Sequence, residues 1–129
     1  SKISGDGKRV IVGSVWDRGD GDDAGHVRVF EENNKRWVQV GEIANPESSA
    51  KAGHDYSFDI SMDGKRIISG VYFLSSHYFY DTGVARIFEE KDGTWAQVGN
   101  DIEEFSGASG LLSTSLSGNG KRLMVGATG

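Results

Sequence analysis

The sequence ISMDGKRIISG at residues 60–70 is a motif that the chain contains three times. The other copies read ISGDGKRVIVG at residues 3–13 and LSGNGKRLMVG at residues 116–126. Their first residues are Ile3, Ile60 and Leu116, so successive copies are 57 and 56 residues apart. Self-similarity at a fixed period indicates a repeat architecture, in which each unit buries its apolar face against the next unit.

Each copy of the motif has the pattern of a β-hairpin. Apolar and polar residues alternate from 56 to 61, which is typical of a half-buried strand. A second segment, from 66 to about 72, is rich in β-branched and aromatic residues. The connection at 62–65 contains Asp-Gly, and Gly accepts the positive φ that tight hairpin turns require. We call these two segments strands a and b of the repeat.

A second block also repeats within each period. GHVRVFEE at 25–32, followed by WVQVG at 37–41, recurs 58 residues later as GVARIFEE at 83–90, followed by WAQVG at 95–99. In the second period these segments predict strand c over 84–90 and strand d from 95 to about 100. Four consecutive antiparallel strands that repeat at a fixed spacing are typical of a β-propeller blade.

The predicted fold class is therefore all-β, with four-stranded antiparallel β-propeller blades and a period of about 57 residues. The repeat units span about 3–59 and 60–115, and a third begins at 116–129, so the chain holds a little over two blades of a partial β-propeller. A closed propeller needs at least four blades. We expect the ring to be completed by remaining blades of the same chain or by self-association, for example of three copies.

Composition excludes several classes of partner and chemistry. The 14 Lys and Arg residues against 19 Asp and Glu residues give a net charge of −5, which argues against nucleic acid as a partner. The absence of Cys excludes a disulfide framework, a thiol nucleophile and a thiolate metal site. No apolar stretch approaches the length of a membrane span, so we expect no membrane insertion.

The motif at 60–70 and the segment GVARIF at 83–88 resemble blades of FG-GAP-like and WD40-like β-propellers, especially the tandem arrays of algal and bacterial surface proteins. The period near 57 and a strand c that ends in Phe-Glu-Glu favour the FG-GAP-like type, because WD40 repeats run about 40–45 residues with a Trp-Asp signature. Integrin-type blades carry a calcium loop between strands a and b. Here that loop is the short Met-Asp-Gly-Lys turn, so we do not transfer that calcium site.

The resemblance implies a non-catalytic binding or scaffold module of a larger surface or secreted protein, with an extracellular or cell-surface location and a protein or glycan partner. The sequence contains no phosphate-binding glycine loop, no serine-nucleophile elbow and no HExxH motif. We therefore expect that this chain is not an enzyme. The alternatives are a fragment of a propeller hydrolase or lyase whose catalytic residues lie outside this chain, and a self-assembling oligomeric propeller.

The loops between strands b and c are the candidate binding sites, because loops carry function while repeated strands carry the scaffold. The second of these loops contains five aromatic residues that could stack on sugar rings or receive a protein partner. They are Tyr72, Phe73, Tyr78, Phe79 and Tyr80. In the alternative interpretation these residues extend the b/c hairpin and pack on a neighbouring blade.

The first b/c loop is acidic. Its carboxylates are hard oxygen ligands, and the glycines among them allow sharp turning, which suits Ca²⁺. The candidate ligands are Asp17, Asp20, Asp22 and Asp23. The alternative is a solvated acidic turn without a metal. We expect no other cofactor.

Other recurring residues have a structural interpretation. Trp37 and Trp95 occupy equivalent positions, so we expect both in the blade core. The Lys-Arg pairs that recur in the motif are expected to pair with the recurring Glu-Glu pairs at 31–32 and 89–90.

If the acidic loop binds Ca²⁺, chelation with EDTA will lower the melting temperature of the chain, because a ligand bound only to the folded state stabilises it by mass action. At a Ca²⁺ concentration of about 100 times Kd, this stabilisation is about 2.7 kcal/mol. The double variant Asp20→Ala/Asp22→Ala should lose the EDTA-dependent shift. Calorimetric scans with and without EDTA test this, and equal melting temperatures for the unmodified chain would exclude the metal.

Overall fold

The computed structural model describes residues 1–14, 26–44, 52–73, 82–103 and 112–127. These segments form eleven β-strands, and no helix occurs among them. All strand pairs are antiparallel. The predicted all-β class is confirmed.

The strands form three sheets in chain order. Sheet 1 contains β1 (Lys2–Ile3), β2 (Arg9–Ser14), β3 (His26–Asn33) and β4 (Arg36–Ala44), paired in that order. Sheet 2 contains β5 (Ala52–Ile60), β6 (Arg66–Phe73), β7 (Thr82–Lys91) and β8 (Thr94–Gln97) in that order, with β9 (Ile102–Glu103) also paired to β7. Sheet 3 is the hairpin β10 (Leu112–Leu116) and β11 (Leu123–Ala127). The predicted four-stranded antiparallel unit is confirmed in sheets 1 and 2.

The a/b turn is built by side chains of the repeated motif. The Ser61 hydroxyl donates to the Asp63 carboxylate at 2.7 Å and accepts the Arg66 amide at 3.0 Å. The Lys65 amide donates to the same carboxylate at 3.1 Å, and Gly64 has a φ of 70°. The hydrogen bond from Ser61, followed by that of the Lys65 amide, holds the pKa of Asp63 below its usual value. The turns at residues 4–9 and 117–122 have the same hydrogen bonds.

Strand d differs between the two complete repeats. In sheet 1, β4 is continuous and its pairing with β3 contains one register shift. In sheet 2 the corresponding segment is interrupted, because β8 ends at Gln97 and pairing resumes only at Ile102. The predicted end of strand d near residue 100 is therefore wrong. The reason is a left-handed turn at Gly99, where φ is 80°.

The sheets are stacked face to face in chain order. We call the side of a sheet that faces the next sheet its leading face, and the opposite side its trailing face. The core between sheets 1 and 2 joins the leading face of sheet 1 to the trailing face of sheet 2. Its buried residues are Ile11, Val27, Val29, Ile43, Ile60, Ile67 and Phe88, with Phe58 and Trp95 packed against them.

Sheet 2 is covered on both sides. A second core places Ile68 and Ala85, on the leading face of sheet 2, against Leu116 of sheet 3, with Leu123 and Val125 packed on them. Ile67 and Ile68 point to opposite faces and are both 0% exposed. Coverage of both faces explains why strand b of this repeat has adjacent apolar residues.

Neighbouring sheets also share hydrogen bonds near their first strands. The Asp59 carboxylate of β5 accepts the Leu116 amide of β10 at 2.9 Å. The Ser57 hydroxyl accepts the Thr114 amide at 2.8 Å. Side chains of β5 in sheet 2 therefore hydrogen-bond the backbone edge of β10 in sheet 3. These bonds fix how the two strands are aligned along their length.

Two glycines of sheet 1 receive aromatic rings of sheet 2. A Cβ atom on Gly41 would overlap the indole of Trp95, and a Cβ atom on Gly13 would overlap the ring of Phe58. These glycines therefore set how closely the two sheets approach each other.

The substitution Gly41→Ala should lower the free energy of unfolding by about 1–3 kcal/mol, because the added methyl group displaces the Trp95 ring from a packed core. Urea denaturation measures this change. Gly118→Ala is the matched control, since its Cβ would lie 3.4 Å from the flexible end of Met62, which is an ordinary contact. Equal stability of the two variants would contradict this account of the packing.

Candidate functional site

The candidate site is built around a repeated arginine that joins one sheet to the next. Arg9, at the start of β2, donates from Nε to Glu31 of its own sheet at 2.8 Å. Its Nη1 donates to the Gly64 carbonyl at 3.1 Å and to the Glu90 carboxylate at 2.9 Å, and both acceptors belong to sheet 2. One guanidinium thus connects both sheets through charge-assisted hydrogen bonds. We call this arrangement the arginine clamp.

The arginine clamp recurs between sheets 2 and 3. Arg66 donates to Glu89 of its own sheet at 2.9 Å and to the Gly120 carbonyl of sheet 3 at 3.0 Å. The predicted pairing of motif arginines with the recurring glutamates is therefore confirmed for Arg9 and Arg66. The carbonyl contact to the next sheet is an addition that the sequence pattern does not indicate.

The ion pair between Arg9 and Glu90 shifts the pKa of both groups. Burial disfavours the charge of Arg9, but hydrogen bonds to Glu90 and Glu31 raise its pKa above the usual value. The Arg9 guanidinium in turn holds the pKa of Glu90 below the usual value. The clamp is therefore ionised at neutral pH.

The third copy of the clamp arginine is in a different state. Arg122 is exposed, and its guanidinium has no partner among the residues that the structure describes. In the first repeat, Glu32 is the equivalent of Glu90. Glu32 is also exposed, and its carboxylate has no partner in the described part of the chain. Within the described part of the chain, the stack therefore carries a clamp cation without a partner at one end and a clamp anion without a partner at the other.

None of the residues that the structure describes covers the leading face of sheet 3. Ile11 and Ile68 are 0% exposed at the positions where they meet the next sheet, whereas the equivalent Met124 is 70% exposed. Strand alternation and the hydrogen bonds of the turn place Arg122 on the same face as Met124.

The trailing face of sheet 1 is also uncovered. Ile3 is 58% exposed and the equivalent Ile60 is 6% exposed. Trp37 is 49% exposed, although the equivalent Trp95 packs against the first core. The prediction of a core position is therefore confirmed for Trp95 and wrong for Trp37, because none of the described residues covers the face on which Trp37 lies.

A second ion pair shows the same contrast. Arg86, on the trailing face of sheet 2, forms a two-point contact with Asp101 at 3.0 and 2.6 Å and is buried. The hydrogen bond from Arg86, followed by one from Gln97, lowers the pKa of Asp101. The corresponding Arg28 of sheet 1 lies 3.7 Å from Glu42, and both side chains are more than one-third exposed. A partly exposed pair of this kind contributes little to stability.

The structure bears on only part of the residues proposed from the sequence. Tyr72 and Phe73 end β6, where their backbones pair with Gly83 and Thr82. The other aromatic candidates and the acidic candidates lie outside the described residues. They are Tyr78, Phe79, Tyr80, Asp17, Asp20, Asp22 and Asp23.

The described residues offer no metal-binding group of three or more His, Cys, Asp or Glu side chains. An open cleft of about 580 Å³ is lined by Ser1, Lys2, Ile3, Val10 and Asp59. Among the described residues that line this cleft, Asp59 carries the one carboxyl group. Within the described segments no helix is long and apolar enough to cross a membrane.

Comparison with known protein families, with characterised proteins and with solved structures finds no match.

The clamp predicts a specific pH dependence of stability. Because the pKa of Glu90 is lower in the folded state than its usual value of 4.5, the pair stabilises the fold above that pH and loses this contribution as the pH falls below it. The substitution Glu90→Gln should lower the free energy of unfolding at pH 7 by about 1 kcal/mol or more and flatten the acid limb of the stability curve. Urea denaturation across an acidic pH series measures both effects.

Glu32→Gln is the matched control, because Glu32 occupies the equivalent position without a partner. Its stability curve should follow that of the unmodified chain in dilute solution. An unchanged acid limb in the Glu90→Gln variant would show that the clamp does not contribute to the pH dependence.

Proposed function

We propose that this chain is part of a β-propeller that acts as a non-catalytic binding or scaffold module of a larger surface or secreted protein. The observation that carries this proposal is the arginine clamp, in which the motif arginine of one sheet bonds a glutamate of its own sheet and the turn carbonyl of the next sheet at two successive interfaces. A repeated junction of this kind supports a rigid stack whose loops can present a binding surface.

The repeated motif and this stacking support the proposal of an FG-GAP-like propeller. In a propeller the blades are arranged around a central channel. The contacts between β5 and β10 support this arrangement, because Asp59 and Ser57 on one strand a bond the amides of the next strand a. The ring would be completed by further blades of the same protein or by association of copies.

We propose the aromatic segment between strands b and c of the second repeat as the binding loop. It contains the strand-end residues Tyr72 and Phe73 and the sequence-proposed Tyr78, Phe79 and Tyr80. Aromatic rings on a loop can stack on sugar rings or enter a protein interface. A protein or glycan is therefore the proposed partner. The acidic loop remains a proposed Ca²⁺ site.

The alternative is a propeller hydrolase or lyase whose catalytic residues lie outside this chain. The ion pairs of the described residues favour the non-catalytic proposal. Arg9 forms an ion pair with Glu90 between two sheets. Arg86 forms an ion pair with Asp101 of the same repeat. Both pairs stabilise the fold, which is a structural use of charge.

Fluorescence titration with soluble hexasaccharides of glucose, mannose and galactose tests the glycan proposal. At least one hexasaccharide should give saturable binding, and chromatography should show no shorter products. The variant Tyr78→Ala/Tyr80→Ala should weaken that binding about tenfold, which corresponds to about 1.4 kcal/mol.

Trp37→Ala is the matched control, because it removes an exposed aromatic ring outside the loop. It should leave the affinity unchanged. Equal weakening by both variants would contradict the assignment to this loop, absence of binding would exclude these glycans as partners, and release of shorter products would favour the enzyme alternative.

A further inference from the structure

We infer that sheet 3 of one copy of this chain binds sheet 1 of a second copy, head to tail, through a third arginine clamp between Arg122 and Glu32. This inference rests on the proposed propeller module, in which further sheets continue the stack, and it does not depend on the loop ligand. It assigns a surface and a partner to the two uncovered faces at the ends of the stack.

The proposed contact would continue an interface that already occurs twice within the chain. At each interior junction, the clamp arginine of one sheet reaches the turn carbonyl of the next sheet, and at the first junction it also reaches a strand c glutamate. At the first junction these acceptors are Gly64 and Glu90. The equivalent acceptors in sheet 1 are the Gly7 carbonyl and the Glu32 carboxylate. A second copy that follows sheet 3 therefore presents to Arg122 the same groups that Arg9 finds within its own chain.

Charge complementarity supports the same contact. Arg122 and Glu32 are oppositely charged and exposed, and each is without a partner among the described residues. Their equivalents form an ion pair of 2.9 Å at the first junction, where both side chains are mostly buried. Opposite charges at the two ends of the stack favour a head-to-tail arrangement over a head-to-head one, because the latter would bring like charges together.

The apolar surfaces match in the same way. Met124 stands on the leading face of sheet 3, at the position where Ile11 and Ile68 are covered by the next sheet. Ile3 and Val10 stand on the trailing face of sheet 1, at the positions of Ile60 and Ile67, which pack in the first core. Docking would therefore cover Met124 with Ile3 and Val10. The strands involved are β10 and β11 of one copy and β1 and β2 of the other.

This contact joins two different surfaces, so each docked copy exposes a further surface of each kind. Such heterologous association yields a closed ring if the rotation per copy closes, and an open array if it does not. In both cases the average mass rises with concentration.

Sedimentation velocity of the 129-residue chain over a hundredfold range of concentration tests the inference. The unmodified chain should shift from 13.9 kDa towards multiples of that mass as the concentration rises. The single variants Arg122→Glu and Glu32→Arg each place like charges at the junction, and each should weaken association about tenfold or more. The double variant Arg122→Glu/Glu32→Arg restores an opposite pair and should recover most of the association.

Lys91→Glu is the matched control, because it reverses an exposed charge at the end of β7 in sheet 2, which carries neither of the two end faces. It should associate like the unmodified chain. Circular dichroism establishes that every variant is folded. A folded chain that stays at 13.9 kDa would overturn the inference, as would single variants that associate normally or a double variant that is not rescued. None of these substitutions touches residues 71–80, so hexasaccharide binding reports on the proposed function separately.

Discussion

The hydrogen bonds of the Arg9 guanidinium fix how sheet 2 is placed on sheet 1. The guanidinium bonds a glutamate of its own sheet, a backbone carbonyl of the next sheet and a glutamate of that next sheet. Face-to-face packing of apolar residues is not directional, so by itself it permits sheets to slide and rotate over each other. The fixed fork of donors on an arginine restricts that freedom, because its acceptors lie at defined positions.

The clamp also connects local and long-range structure. Arg9 follows directly from the Ser-Asp-Gly turn, whose hydrogen bonds determine where strand b begins. The turn of the next repeat supplies the carbonyl that the same arginine reaches. Each repeat therefore needs the turn twice, once to place its own arginine and once to receive the arginine of the preceding repeat. This double use explains why the motif is the most regular part of the sequence.

Pairs of equivalent residues show that the burial of a side chain depends on whether a neighbouring sheet covers its face. Ile68 is buried by sheet 3 and Met124 is exposed, although both occupy the same position in strand b. Arg86 is buried and pairs with Asp101, whereas Arg28 and Glu42 are both partly exposed. The exposed members are the surfaces that a further sheet would cover. The proposal of head-to-tail association rests on these exposed members.

Much of the fold could be predicted from local patterns. The period, the Asp-Gly turns and the alternation of apolar residues indicate antiparallel units, and the structure has them in sheets 1 and 2. The interruption at Gly99 could not be predicted in this way, since the two copies of WxQVG are nearly identical and differ only in how the following residues pair. Of the candidate site, the pairing of arginines with glutamates was accessible to sequence reasoning, and the uncovered faces were not.

The repeated turn, the strand faces and the charges of each repeat can be read from the sequence, because they depend on residues a few positions apart. Which member of each equivalent pair is buried depends instead on the packing of the sheets. Trp95 lies against Gly41 and Trp37 is exposed, yet both follow the same local pattern. Burial depends on contacts between residues more than fifty positions apart, such as Arg9 and Gly64, and these contacts exist only where a neighbouring sheet is present.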